Sequence, residues 1–389
     1  ANDLHSQLMS GEAAAAGQSP SEAPLKMLKY CNLTINTNVV NADIAKVMLE
    51  GEDNNYTYHI VKLKDISDPL IYEVSPRLLE PVMLHRVMPH TFGYYSELIN
   101  QYYPKNEAGQ IIRVPHDSNY CHPQKYAGTI TFTDTRRAAF DMKVDVKVIK
   151  ETGKWIETDL FPKVKIEDIR INGEKVYFYK DELYSQLFIR VPKSYSPEQN
   201  FTLEMKYEEK LPFESGFQWY PEFGELMKSQ YEITAKTPNK KDIFRTVGDE
   251  IEKIEQNGMY ISKWKTSVPV YSSDFFLSPA YEASTTTANG TVLNVVYQDA
   301  GYKTKTLDYL SNAYNFFSTL LCELPNKKIN TIDAFRGSTQ NGFFSYNSAF
   351  INSDRSLSAG SVASLWYSDY IRTNSYRESW LHHGLNNYL

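Results

Sequence analysis

A chain of 389 residues, 42% of them hydrophobic and 23% charged, is long enough to bury more than one core and reads as a globular protein of two or three domains. Its net charge of -6 argues against the clustered positive field that nucleic acid requires, and its longest apolar runs, such as Val292 to Tyr297, fall far short of the about 20 residues needed to cross a bilayer. Cys31, Cys121 and Cys322 lie far apart with no CxxC pair, which argues against a thiolate zinc site and a dense disulfide framework and leaves a single disulfide open.

Residues 1–27, with the Ala13 to Ala16 run and Gly17, Ser19, Pro20 and Pro24, cannot bury much surface and are expected to form a flexible leader. No basic stretch followed by an apolar run stands at Ala1, so no signal peptide is expected within this sequence. Residues 28–126 read as a separate α+β region. Tyr56 to Leu63 alternates like a strand, and Leu78 to Tyr103 has helix-like apolar spacing interrupted by Pro81 and Pro89. The pairs Tyr94-Tyr95 and Tyr102-Tyr103 are expected to be buried rather than to form a partner surface.

From Ala127 to about Ser284 the pattern becomes a procession of short strands. Gly128 to Thr133, Phe140 to Ile149, Val164 to Ile171, Lys175 to Tyr179, Leu187 to Val191 and Phe201 to Tyr207 alternate apolar and polar residues, with Asn172-Gly173 as a hairpin turn. The 29 tyrosines suit such sheets and the hydrogen-bonded networks they carry. Beyond Thr291 the spacing predicts a strand at Val292 to Tyr297, a helix near Thr304 to Leu321, a strand at Lys328 to Phe335 and a helix from about Ala359 to Tyr370.

The last fifty residues carry the chemistry-bearing pattern. Ser361-Val362-Ala363-Ser364-Leu365-Trp366-Tyr367 and Trp380-Leu381-His382-His383-Gly384 resemble the active-site helices of the M1 zinc aminopeptidases, a gluzincin family. That family uses HExxH followed by an aromatic pair, then a WLxEG segment whose glutamate lies nineteen residues after the second histidine. With Trp366-Tyr367 as the aromatic pair, the HExxH positions are Gly360, Ser361, Val362, Ala363 and Ser364, and nineteen positions on from Ser364 is His383. Gly337-Ser338-Thr339-Gln340-Asn341 resembles the family's GxMEN motif, with glutamine in place of the glutamate that holds a substrate's amino terminus.

The resemblance implies an α+β multidomain fold: an antiparallel β-sandwich or saddle domain over 127–284, followed over 285–389 by the start of a thermolysin-like α/β domain, truncated at Leu389. It also implies that zinc chemistry fails. Gly360 has no side chain, Ser361 replaces the general base, Ser364 offers a neutral hydroxyl, and His383 alone retains a good donor. No cofactor is therefore expected, although zinc is the family's metal. Gly337, Gln340 and Asn341 are candidate peptide-binding residues, Gln340 keeping the shape of the glutamate without its charge.

The expected function is that of a pseudoenzyme: a non-catalytic M1-like protein acting as a protein- or peptide-binding scaffold, in the setting of an extracytoplasmic part of a larger membrane system. The alternative is a zinc-dependent aminopeptidase with a rebuilt metal site. Adjacent helical residues point about 100° apart, so His382 and His383 are poorly placed to share a metal, and Cys121-His122 reads as a lone loop pair. Asn-x-Ser/Thr triplets at Asn32, Asn55, Asn200 and Asn289 matter only in a glycosylating pathway.

Overall fold

The computed structural model describes residues 57–61, 70–74, 82–90, 93–102, 105–110, 120–134, 137–161, 164–180, 186–210, 219–224, 227–297, 300–324, 327–333, 343–346 and 362–366. The chain divides into two compact units, Ala1–Ser118 with Tyr179–Gln186, and Asn119–Phe178 with Leu187–Leu389. Among the described residues, no helix is long and apolar enough to cross a membrane.

In the first unit, β1 (Thr57–Val61), β2 (Leu70–Val74), β3 (Val82–His90) and β4 (Gly93–Tyr102) form an antiparallel meander in that order. The strand expected at Tyr56 to Leu63 is present as β1. The helix-like reading of Leu78 to Tyr103 is corrected: residues 82–90 and 93–102 are paired strands, turning where His90 faces Gly93. Proline has no amide proton and costs a helix interior about 3 kcal/mol, so Pro81 and Pro89 outweigh the apolar spacing. The side chains of Tyr94, Tyr95, Tyr102 and Tyr103 lie outside the described residues.

The second unit is built on β5 (Cys121–Asp134), β6 (Arg137–Val148), β7 (Trp155–Asp159), β8 (Lys165–Ile171), β9 (Glu174–Lys175), β12 (Asn200–Lys210) and β13 (Gln230–Thr237), while β10 (Phe178–Lys180) and β11 (Gln186–Arg190) span the division, Phe178 and Leu187–Arg190 falling in the second unit. The chain continues through β14 (Asp242–Thr246), β15 (Asp249–Gln256), β16 (Met259–Lys265) and β17 (Phe275–Pro279). Eight of these strands make one sheet in the order β15-β16-β13-β5-β6-β12-β8-β9. All neighbours are antiparallel except β5 and β13, which run parallel. The expected strand at Lys175 to Tyr179 is split instead, β9 ending at Lys175 and β10 beginning at Phe178.

Strict alternation explains why one face of this sheet is dry. Along β6 and β12 every second residue is buried, placing Phe140, Met142, Val144, Leu203, Met205 and Tyr207 on one side. Aromatic rings fill the space beneath: Phe132 meets Phe275 edge-on at 5.7 Å, Phe140 stacks on Tyr207 at 4.8 Å, and Trp219 packs against Phe275 at 5.4 Å. Buried polar ends find backbone partners, Tyr207 Oη donating to Trp219 O and Trp219 Nε1 to Ser273 O. Asn172-Gly173 and Asn257-Gly258 hold φ of 51° and 81°, and 54° and 73°, the double positive-φ signature of two-residue hairpin turns. The turn expected at Asn172-Gly173 is therefore present.

The chain then changes character. β18 (Tyr281–Thr286) pairs antiparallel with β19 (Val292–Tyr297), and helix α1 (Lys303–Leu320) leads to β20 (Lys328–Asp333), which lies parallel to β19 and to β21 (Phe343–Tyr346). The strands and helix expected there begin within a residue of the observed ones. Thr306, Leu310, Tyr314 and Phe317 form the helix's buried stripe against Leu293, Val295 and Ile329. Side chains fasten this layer to the strands before it: Lys328 Nζ pairs with Asp249 of β15 at 2.7 Å, Asn330 Nδ2 donates to Gly248 O at 3.2 Å, and Arg245 of β14 pairs with Glu282.

Candidate functional site

Of the residues expected to carry the chemistry, the described ones lie in one short helical segment packed on the α/β layer. Residues 362–366 are helical, and Val362, Ala363, Leu365 and Trp366 join the core formed by β19, α1 and β20. Trp366 sets their position, its ring lying 5.4 Å from Tyr314 and 6.0 Å from Phe317 while its indole Nε1 donates to Cys322 O at 2.7 Å. A large apolar ring with one polar edge satisfied by a carbonyl just beyond the end of α1 fixes both the depth and the rotation of this segment.

Ser364 is the one residue of the expected zinc set within the described residues. It is 8% exposed and sits in the same buried helical turn. Its donor is a neutral hydroxyl, which does not fit a divalent zinc ion that needs imidazole, thiolate or carboxylate ligands. Gly360, Ser361 and His383 lie outside the described residues, as do Gly337, Gln340 and Asn341. The last three fall in the link between the paired strands β20 and β21. Among the described residues, no group of three His, Cys, Asp or Glu gathers at metal-binding distances.

The Cys121-His122 pair was expected in a loop and is corrected: both residues open β5. Successive strand residues face opposite ways, so Cys121 is buried while His122 is half-exposed, with Nε2 3.0 Å from Lys228 O. Burial pushes the Cys121 thiol up to about 12, which keeps it protonated and a poor ligand. Cys121 and Cys322 are both free thiols, the first buried and the second exposed.

The sequence did not single out a cluster of tyrosines at one end of β5 and β13. Tyr126 stacks on Tyr231 at 5.0 Å, Tyr220 stands edge-on to both, and Tyr126 Oη donates to Pro221 O at 2.9 Å. The rings border a cleft of about 230 Å³, open mouth included, that is also lined by Glu222 and Tyr271. Burial first, then the neighbouring Tyr231 and the charge of Glu222, push Tyr126 and Tyr220 well above 10.0, so these phenols stay protonated. At neutral pH they donate hydrogen bonds and supply no base. Alternation along β5 and β13 was the available signal, but the residues that complete the cluster come from the segment after β12, about which spacing says nothing.

Crystal structures of known proteins share the chain's architecture. A variant of a two-domain M1 zinc metallopeptidase bound to L-arginine matches with a TM-score of 0.55 and 14% identity over 70% of this chain and 70% of that one. An M1 zinc metallopeptidase from Deinococcus radiodurans matches at 0.54 and 14% identity, and a variant of the enzyme from the same organism, bound to a Tyr-Ser-Ala substrate, at 0.55 and 15%, each over 69% of both chains. The chain has the M1 metallopeptidase fold. At this identity the likeness is one of fold alone, and chemistry has to be argued from the residues. No family model and no curated protein sequence matches the M1-like chain.

Proposed function

We propose that this M1-like chain is a pseudoenzyme that binds a protein or peptide partner as a scaffold, in the setting of an extracytoplasmic part of a larger membrane system. In this reading residues 28–126 form a separate α+β region, 127–284 an antiparallel saddle domain and 285–389 the start of a thermolysin-like domain. The observation that carries it is Ser364: a neutral hydroxyl stands in the buried helical turn where the family's register requires an imidazole.

Gly360 and Ser361 add the loss of a second ligand and of the general base in the same register, leaving His383 as a solitary donor. The surrounding packing persists: Trp366 keeps its rings and its bond to Cys322 O. Loss of ligands with retention of packing supports a shape kept for its surface. Gln340 retains the hydrogen-bonding outline of the family's glutamate, which supports recognition of a peptide amino terminus without the charge-assisted contribution.

The test is elemental analysis for zinc on tag-free protein, dialysed first against zinc-containing and then against metal-free buffer, with aminopeptidase turnover measured on the same samples. Near-zero zinc and no turnover are expected. One tightly held zinc per chain would sink the reading, establish the rebuilt-site alternative and make His383 the first residue to substitute.

A further inference from the structure

The two ends of the eight-stranded sheet are finished differently. At one end β9 is two residues long, too short to template another strand. At the other end β15 is eight residues long, contains no proline, and leaves Ile251 57% and Ile254 41% exposed. Its bulge lies between Glu250 and Glu252, so Glu252 to Gln256 is an uninterrupted run in register with Lys263 to Met259 of β16. The Asn257-Gly258 turn holds that run in place. A long, regular, partly apolar edge turns alternate N–H and C=O groups outward and is a template for another strand.

We propose that β15 pairs antiparallel with β15 of a second copy of this chain, about a two-fold axis through Ile254. The side-chain pattern is self-complementary in that register alone. Ile254 faces Ile254 of the partner copy, Lys253 faces Glu255, Glu255 faces Lys253, and Glu252 faces Gln256. Residues directly opposite share a face, so the pairing extends rows already present in the hairpin. Ile254 faces Ile261 within the chain, which gives four isoleucines in a row across the seam, and Lys253 and Glu255 alternate on the other face. Shifting the register by two places Glu255 opposite Glu255 or Lys253 opposite Lys253, and like charges directly opposite are destabilising.

The groups involved are available. Glu252 is already neutralised by Lys263, which suits an uncharged Gln256 across the axis. Lys253 is 63% exposed and only 4.0 Å from Glu250, a loose pair that yields to a closer carboxylate. Among the described residues Glu255 has no cation within ion-pair distance. An interface of five residues per strand is smaller than a standard stable one, so the dimer is a concentration-dependent one. The self-paired edge is isologous and closes at two copies.

Sedimentation velocity from about 5 to 500 µM, where interfaces below standard size dissociate, reads the equilibrium directly. Wild type is expected to move from monomer towards dimer across that range. Lys253→Glu places glutamate opposite glutamate twice, and Glu255→Lys places lysine opposite lysine twice, so each variant alone is expected to stay monomeric to the top of the range. Mixed one to one, the two variants present only opposite charges across the axis and are expected to form a heterodimer at about the wild-type concentration. Both substituted positions are exposed strand residues, and unchanged circular dichroism melting of both variants is the control for folding. A wild type that stays monomeric at about 500 µM overturns the proposal, as does a dimer that survives either single substitution or variants that fail to rescue one another.

Discussion

Gly248 is the corner on which the second unit turns, and replacing it by alanine isolates what that corner costs. It lies between β14 and β15 with φ of +93°, and a Cβ there would stand 2.4 Å from Lys265 O, 2.6 Å from Lys265 C and 2.8 Å from Thr266 N. These are backbone atoms of the peptide that closes β16, where β15 starts its pairing at Asp249 opposite Lys265, so they cannot move aside without disturbing the register. Positive φ costs alanine about 1–2 kcal/mol, and the smaller entropy of the unfolded alanine chain returns about 0.4–1 kcal/mol. Overpacking adds about 1–3 kcal/mol, so Gly248→Ala is expected to destabilise by about 2–4 kcal/mol. Gly290→Ala is the matched control: its φ is +81° with nothing within 4 Å of a built Cβ, so only the dihedral terms remain, about 1 kcal/mol. Urea unfolding followed by tryptophan fluorescence measures both, because Trp219 and Trp264 are buried in this unit and Trp264 adjoins Lys265. If Gly248→Ala costs no more than Gly290→Ala, the contact with Lys265 is not a constraint and the reasoning is wrong.

Trp366→Ala is expected to cost about 3–5 kcal/mol by opening a cavity against Tyr314 and Phe317, and Trp366→Phe about 1 kcal/mol through the lost bond to Cys322 O, both read by thermal unfolding. Arg245, 12% exposed, lies between Glu250 and Glu282 and over the Trp264 ring; Arg245→Met is expected to cost about 1–3 kcal/mol, less in 1 M salt than in 0.1 M, as measured by denaturant midpoint. The Cys121 thiol is raised from 9.0 to about 12, so the folded state holds its proton where the unfolded state releases it. Its contribution is therefore full below pH 9 and is lost as pH rises from about 9 towards 12, and Cys121→Ala is expected to flatten that part of the stability profile. In native protein at about pH 8, iodoacetamide is expected to label Cys322 and spare Cys121 until urea is added, an outcome peptide mass spectrometry distinguishes.

Sequence alone settled the features that depend on neighbours in the chain. Apolar alternation marked β6, β8, β11 and β12 because each strand in a half-buried sheet must repeat every two residues. Asn172-Gly173 announced its hairpin, and the helix-like spacing from Thr304 to Leu321 announced α1, because both are local requirements. The spacing from Ser364 to His383 and the pair Trp366-Tyr367 made the M1 resemblance legible, and that spacing needs no coordinates.

Tertiary structure decided what depends on distant partners. The apolar spacing over 82–102 suits either a helix or a hairpin, and pairing with β2 selects the strands because a helix cannot satisfy Pro89 internally. The parallel pairing of β5 with β13 joins residues about a hundred positions apart, a distance at which chain order constrains nothing. The burial of Ser364 beside Trp366 likewise follows from how α1, β19 and β20 pack, not from the residues that flank it. Short-range geometry is written in the order of residues, whereas depth, pairing and exposure arise only when separate stretches compete to leave water.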